Sequence, residues 1–567
     1  MTTAPSDAPP PTTNLTPQNG RGGQGFLRSA AVVSVFTFAS RLLGLVRDRV
    51  LGSAFGIHSP WLAAFFVGFT VPNLFRRLFG EGALTAAFVP HYARLVETNP
   101  ALAQRFASRC VAGLAVLLAA VTLIGEAGLL FALRGVESGK TSAALEMTAL
   151  MLPYMPLVCC VAFLGAILQV HHRFGPAAAA PVILNVATIG AALWAGLRYG
   201  TNAGNTRGGV VIIALAVLAA GLIQLAWLAL AVRRTAPLTR EGLAKHDDVS
   251  TPMRAMLRTM VPMVIGLGVF QINTLFDQLI AYSFAAPALS PNAALHLPGL
   301  APRPYPIQTG GIIALGFAQR LYQFPLGVFG IALATAIFPV LARTAAACPA
   351  NAPAPSDSEF TRTLRRGLRL AFMIGLPASA GLMLLAVPTC RVIFETGQFT
   401  SSAAFFTAAV LVGYASGVWA YTLTHVLTRG FYALDDAKTP LKISLSLVGF
   451  NLMLNLAFIW PLGVAGLAWS TAISATLQVF FLTRALGRRV QTPLNTEVLR
   501  SWATTAALTA LMAAGLWLLV QTFPPATLNR TQCAALLATG ITASVAFFAL
   551  GAWLLKMPEI HWLRKRG

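Results

Sequence analysis

The stretches "FGEGALTAAF" (79–88) and "FGIALATAIF" (329–338) share FG, then TA, then a closing Phe, 250 residues apart. Each lies inside an apolar run long enough to cross a bilayer, since about 20 helical residues span roughly 30 Å. Numbering such runs along the chain puts the first stretch on the second run and the second on the eighth. A separation of six crossings preserves orientation, so the pair predicts two six-helix halves related by an axis along the membrane normal.

The rest of the chain fits that frame. Of 567 residues, 56% are hydrophobic and only 10% charged, which excludes an ordinary soluble domain and predicts an all-α polytopic membrane protein. Fourteen spans are expected, near 27–55, 60–92, 104–134, 143–171, 176–198, 208–233, 255–285, 309–343, 366–392, 402–432, 439–460, 464–487, 497–521 and 532–556. The division that follows is a polar, disordered tail (1–26), an N-lobe (27–233), a linker (234–254), a C-lobe (255–487) and a final segment (488–567) with two spans outside the repeat. The tail lacks the pattern of a cleaved signal peptide. The six cysteines have neither disulfide-framework nor metal-ligand spacing.

A net charge of +23 raises the question of nucleic acid. The cations argue against it, because they concentrate in the connections on one side of the membrane. By the positive-inside bias both termini are expected in the cytoplasm, and clusters such as Arg362, Arg365, Arg366 and Arg369 read as topology signals and contacts to membrane lipids. The Pro-rich connection 286–308 falls on the other side, and no function is read from it.

Inside the expected spans every cation is an arginine: Arg41, Arg47, Arg49, Arg76, Arg77 and Arg320. Each costs about 2.5 to 3.5 kcal/mol near the bilayer centre, so together they imply a shared wet cavity. Guanidinium keeps its charge on burial and grips phosphate or carboxylate with a planar fork, which suits a polyanionic substrate. A purely structural role would pair them with Asp48, Glu81 and Asp277, too few acids to neutralise the set. Arg49 is the weakest candidate because it nears a helix end, where it can snorkel. Arg41 and Asp48, and likewise Arg77 and Glu81, are spaced to meet on one helical face. Asp277, Asn451, Asn455 and Thr471 form a second, fainter set whose oxygens suit a small hard cation, with ordinary interhelical hydrogen bonding the competing reading.

Four segments carry a resemblance: "SRLLGLVRDRVLGSAFG" (40–56), "VPNLFRRLFGEGALTAAFVP" (71–90), "AQRLYQFPLGVFGIALATAIFP" (318–339) and "RGFYALDDAKTPLKI" (429–443). The chain resembles the MurJ (MviN) family of lipid II flippases, within the multidrug/oligosaccharidyl-lipid/polysaccharide (MOP) exporter superfamily, over roughly 27–556. The resemblance implies a MATE-like fold of two six-helix lobes plus two C-terminal helices. It implies flipping of lipid II, the peptidoglycan precursor, across the bacterial inner membrane for cell-wall biogenesis. Arg41, Arg47, Arg76, Arg77 and Arg320 would bind substrate, with Asp48 and Glu81 as charge partners in gating. The sequence departs from the family where "WLAAFF" puts Ala63 in place of an acid, and where Gln319 and Gln323 flank Arg320.

The resemblance implies a transporter, not an enzyme, with no cofactor, driven by sodium, protons or the membrane potential, and with the peptidoglycan synthesis machinery as possible protein partners. Alternatives are a flippase for another polyprenyl-pyrophosphate-linked glycan, or a MATE-type drug or cation antiporter, which an arginine-rich cavity opposes. A membrane glycosyltransferase would need acid/base carboxylates, for which Asp435 and Asp436 are the candidates in a loop.

Overall fold

The structure is a computed structural model that describes residues 21–80, 83–238, 247–288, 293–296, 301–348 and 353–564. Helices dominate because lipid offers no partner for backbone N–H and C=O groups, which must then bond within each span. Twelve helical stretches among the described residues are long and apolar enough to cross a membrane, and Arg21–Phe55 and Asp247–Ser283 are two further long helices.

In chain order span 1 is Arg21–Phe55, and span 2 runs through Pro60–Phe75, Arg76–Gly80 and Ala83–Thr98. Span 3 is Pro100–Arg134; span 4 joins Lys140–Met151 to Tyr154–Val170; span 5 is Gly175–Tyr199 and span 6 Arg207–Thr235. Span 7 is Asp247–Ser283, and span 8 runs through Gly311–Pro325, Leu326–Ile331 and Ala332–Ala345. Span 9 joins Glu359–Leu384 to Ala386–Phe394, and span 10 joins Ser401–Ala415 to Val418–Ala433. Spans 11 to 14 are Lys438–Leu462, Val464–Leu486, Thr496–Thr522 and Arg530–Leu554, followed by a short helix Pro558–Arg564. With fourteen spans, the start of span 1 and the end of span 14 share one membrane face, called here the terminal face.

Two boundaries differ from the sequence expectation. Span 1 begins at Arg21, inside the stretch read as a disordered tail, while residues 1–20 lie outside the described residues. Span 7 begins at Asp247, inside the expected linker 234–254.

The repeat has a backbone signature. Spans 2 and 8 each widen into a π-helical turn, at Arg76–Gly80 and at Leu326–Ile331, in the same register as the sequence match. Such turns arise where the i→i−4 ladder is disturbed. Here Pro72 lies one turn before the first, and Pro325 immediately precedes the second.

At the face opposite the termini the lobes close on the turn between spans 1 and 2. The Gln398 N–H donates to Ser53 O at 2.8 Å, and His58 Nδ1 lies 3.0 Å from Thr309 O. Gly310 (φ +91°) and Gly397 (φ +56°) sit so close to Ile57 O and Ser53 O that a Cβ on either would collide. Phe317 stacks on Phe394 at 4.8 Å between ring centres, sealing the same end.

Spans 13 and 14 are fastened to span 9 at both faces. At the terminal face the fully buried Glu559 takes Arg369 Nε at 2.6 Å and Ser501 Oγ at 2.5 Å, and Trp562 lies under the Arg369 guanidinium. At the other face Arg391 donates to Leu528 O at 2.8 Å and Arg530 Nη2 to Val392 O at 3.0 Å.

Candidate functional site

A cavity of about 490 Å³, walled by spans 1, 2, 4, 5 and 6 of the N-lobe and reached by Arg320 of span 8, is lined by Arg41, Arg47, Arg76, Arg77 and Arg320, the five arginines expected to bind substrate. Arg49 is not among its lining residues. Span 1 contributes two guanidiniums, span 2 contributes two from its π turn, and span 8 contributes one.

Asp48 organises them. It is 3% exposed and takes Arg47 from its own helix, at 3.0 Å from Nε and 2.7 Å from Nη2, through Oδ1. Its Oδ2 takes Arg320 Nε from the other lobe at 3.1 Å. One buried carboxylate therefore holds two arginines across the lobe interface. Removing this carboxylate would leave two guanidiniums uncompensated, typically at a cost of about 3 to 5 kcal/mol, whereas removing one arginine leaves Asp48 paired with the other.

Arg41 does not use Asp48, although their spacing allowed it. Its guanidinium rests against Gly327 in the π turn of span 8, in space that a Cβ would occupy. Arg76 Nε donates to Asn73 Oδ1 at 3.0 Å, one turn earlier on its own span. Glu81, the proposed partner of Arg77, lies outside the described residues. Asp277 is not among the cavity's lining residues.

Sequence reasoning missed Asn185. Its Oδ1 accepts from Arg47 Nη1 at 3.3 Å while its Nδ2 donates to Ser40 O at 3.1 Å, fixing the Arg47 fork against span 5. Gln224, 2% exposed on span 6, also lines the cavity and donates to Ala180 O at 2.6 Å. A lone Asn and a lone Gln in otherwise apolar spans were signals of an internal polar surface.

The second set is partly assembled. Asn455 Nδ2 donates to Asp277 Oδ1 at 2.6 Å and to Asn451 Oδ1 at 3.2 Å, joining spans 7 and 11. Asn455 Oδ1 is buried without a hydrogen-bond partner. Thr471 Oγ1 donates to Leu467 O in its own helix at 3.0 Å, and with Asn451 it lines a separate polar cavity of about 330 Å³. Among the described residues no three His, Cys, Asp or Glu side chains are grouped to hold a metal.

The loop carboxylates have structural work. Asp436 accepts from the Thr439 N–H at 3.0 Å and hydroxyl at 2.8 Å, and from Arg489 at 3.1 Å. Burial alone would raise its carboxyl; these three hydrogen bonds outweigh burial and hold it below the usual carboxylate range. Asp435 has a left-handed backbone (φ +55°) at the turn.

A profile of the family described as "Lipid II flippase MurJ" matches residues 51–532. The chain belongs to the MurJ family. It is 34% identical over 474 residues to the probable lipid II flippase MurJ of Vibrio cholerae, covering 81% of this chain and 82% of that protein. It is 30% identical over 485 residues to the lipid II flippase MurJ of Burkholderia cenocepacia, covering 82% and 84%. A solved lipid II flippase MurJ, in an inward closed conformation, superposes with a TM-score of 0.72 at 21% identity, covering 93% of this chain and 99% of that one. An inward-facing MATE multidrug transporter superposes at 0.61 and 16% identity, covering 82% and 99%. These likenesses establish the MOP fold: two six-helix lobes with two further C-terminal helices.

Proposed function

We propose that this MurJ-family chain flips lipid II from the cytoplasmic to the outer leaflet of the bacterial inner membrane by alternating access. The observation that carries this reading is the set of five arginines on one cavity, four from spans 1 and 2 of the N-lobe and Arg320 from span 8 of the C-lobe. Lipid II presents a pyrophosphate and peptide carboxylates, and guanidinium forks replace the hydration these anions lose. A drug or cation antiporter of the same fold would need the opposite sign of charge at this place.

The head group enters between the lobes and competes for Arg47 and Arg320. Asp48 keeps the two arginines oriented while the cavity is empty, so binding exchanges internal ion pairs for contacts to substrate. Spans 13 and 14, apolar and fastened to span 9, guide the polyprenyl tail along the lipid-facing side. Both termini lie in the cytoplasm in this reading, supported by the concentration of Lys and Arg on the terminal face. Asp277, Asn451, Asn455 and Thr471 are the coupling site for a sodium ion or proton, which supports transport without touching the head group. The chemistry itself is binding and translocation, and assembly with peptidoglycan synthases is where the delivered substrate is used.

The test is depletion of this protein in cells lacking a redundant flippase, with outer-leaflet lipid II read by an externally added cleaving or labelling reagent. Accessible lipid II is expected to fall as the protein is lost and to return with the wild-type chain. Unchanged accessibility after depletion refutes the assignment.

A further inference from the structure

At the terminal face, span 12 ends in Arg484, Arg488 and Arg489, and these arginines are used differently. Arg489 Nη2 binds Asp436 Oδ2 at 3.1 Å. Among the described residues, Arg484 and Arg488 have no hydrogen-bond or ion-pair partner, and both are exposed. They are not needed to cap the helix, because the Gly487, Arg488, Arg489 and Val490 N–H groups already bond the last carbonyls. Of the two acids in the neighbouring turn, Asp436 is occupied by Arg489 and Thr439, and Asp435 is exposed.

These two arginines line a hollow of about 580 Å³ with Phe480, Thr483, Gly487, Pro493 and Leu494. Phe480 and Arg484 share one face of span 12, which the turn after Leu486 continues to Arg488. That face passes from an aromatic side chain 59% exposed toward lipid to two guanidiniums at the membrane surface. Pro493 and Leu494 form the opposite wall. Lys438 and Lys442 stand at the start of span 11, whose register against span 12 is fixed by the Gln478 Nε2 bond to Ser444 Oγ at 2.9 Å. They add positive charge to the same end. None of the residues lining this hollow lines the arginine cavity.

We infer that this hollow binds the headgroup phosphate of an anionic glycerophospholipid, with an acyl chain lying along Phe480 and Leu494. Two guanidiniums four residues apart can both reach one phosphate, and charge-assisted forks favour it over a zwitterionic headgroup that carries its own cation. The apolar wall selects a lipid over a free anion, which would use only the arginines. Gly487 keeps the hollow open: its backbone is in the right-handed helical region (φ −60°), and a Cβ there would meet Arg484 O at 3.3 Å, so a larger side chain fills the hollow with a small shift of that carbonyl.

The test uses the full chain in phosphatidylcholine nanodiscs, titrated with phosphatidylglycerol, with further phosphatidylcholine or with inorganic phosphate. Bound lipid is counted by native mass spectrometry and the thermal midpoint is followed. Phosphatidylglycerol alone is expected to add a retained lipid and raise the midpoint. The double variant Arg484→Ala, Arg488→Ala should weaken that binding about thirtyfold. Gly487→Leu, which keeps both charges, should weaken it as well, while Arg500→Ala on the same face should change it less than about twofold. The midpoint of each variant without phosphatidylglycerol verifies folding. Binding unchanged in the double variant or in Gly487→Leu overturns the inference. So does an equal effect of inorganic phosphate, or an equal loss in Arg500→Ala. No readout here depends on lipid II, so failure of this site leaves the flippase reading intact, and the converse holds.

Discussion

The π turns of spans 2 and 8 occupy the same place in the two halves and carry opposite chemistry. In the N-lobe the turn opens with Arg76 and Arg77; at the matching positions the C-lobe has Leu326 and Gly327. One turn supplies guanidiniums, and the other supplies a bare surface on which the N-lobe's Arg41 rests. The duplication preserved the backbone break and divided the labour: four cavity arginines come from the N-lobe, and the C-lobe contributes Arg320 and a socket. The lobes are therefore joined through the cavity by charge, Arg320 to Asp48, and by shape, Arg41 to Gly327. Their closure at the opposite face depends instead on glycine and backbone contacts at Ser53, Ile57, Gly310 and Gly397.

The comparison breaks most severely if the charge bridge is dispensable. Arg47→Ala and Arg320→Ala, singly and together, are expected to abolish complementation of a depleted strain, with membrane abundance near normal in each single variant. Lysine at either position should rescue only in part, because the fork to Asp48 and to phosphate is lost. Full growth on the double variant would sink the idea.

The outer closure comes next. Gly310→Ala forces a Cβ into Ile57 O at a left-handed backbone, so it should loosen the contact between the turn after span 1 and the start of span 8. A cysteine pair at Ser53 and Gln398 should crosslink readily in the otherwise wild-type protein and poorly with Gly310→Ala. Equal crosslinking would show that the glycines do not set this closure.

The socket predicts a subtler effect. Gly327→Ala displaces only the end of a flexible Arg41 side chain, so stability should change by no more than roughly 0.5 kcal/mol, yet transport should fall several-fold. A variant that transports normally would reduce Gly327 to a spacer.

The smallest effect lies outside the cavity. Because the Asp436 carboxyl is held below its unfolded value, its contribution to stability is present above a pH of about 4 and is lost as pH falls through the depressed value. Thermal midpoints of wild type and Asp436→Asn should therefore differ at neutral pH and converge in acid. A gap independent of pH would assign the effect to packing.

Much of this was legible in the sequence, and the reasons are physical. Span positions follow from apolar run length, and the repeat from one ten-residue match whose register the π turns share. The cavity arginines were legible because a cation inside lipid demands explanation. What escaped was their pairing. Asp48 and Arg41 share a helical face, yet Asp48 turns to Arg47 and across the interface to Arg320, and only tertiary contact decides between such partners. Asn185 escaped because a single amide in an apolar span carries no motif. Gly327 escaped because its part is the absence of a side chain. The start of span 7 lies earlier than the apolar run that located it, because run length marks the lipid-crossing part of a helix and not its polar first turns.

The central claim is that both unequal halves grip one anionic head group. It is tested most directly by measuring lipid II binding to the purified chain by native mass spectrometry, comparing wild type with Arg77→Ala from the N-lobe and Arg320→Ala from the C-lobe. Both variants are expected to lose most of the bound lipid II while retaining the wild-type thermal midpoint within a few degrees. Wild-type binding in either one, with the other impaired, would show that a single lobe holds the substrate and would contradict the account.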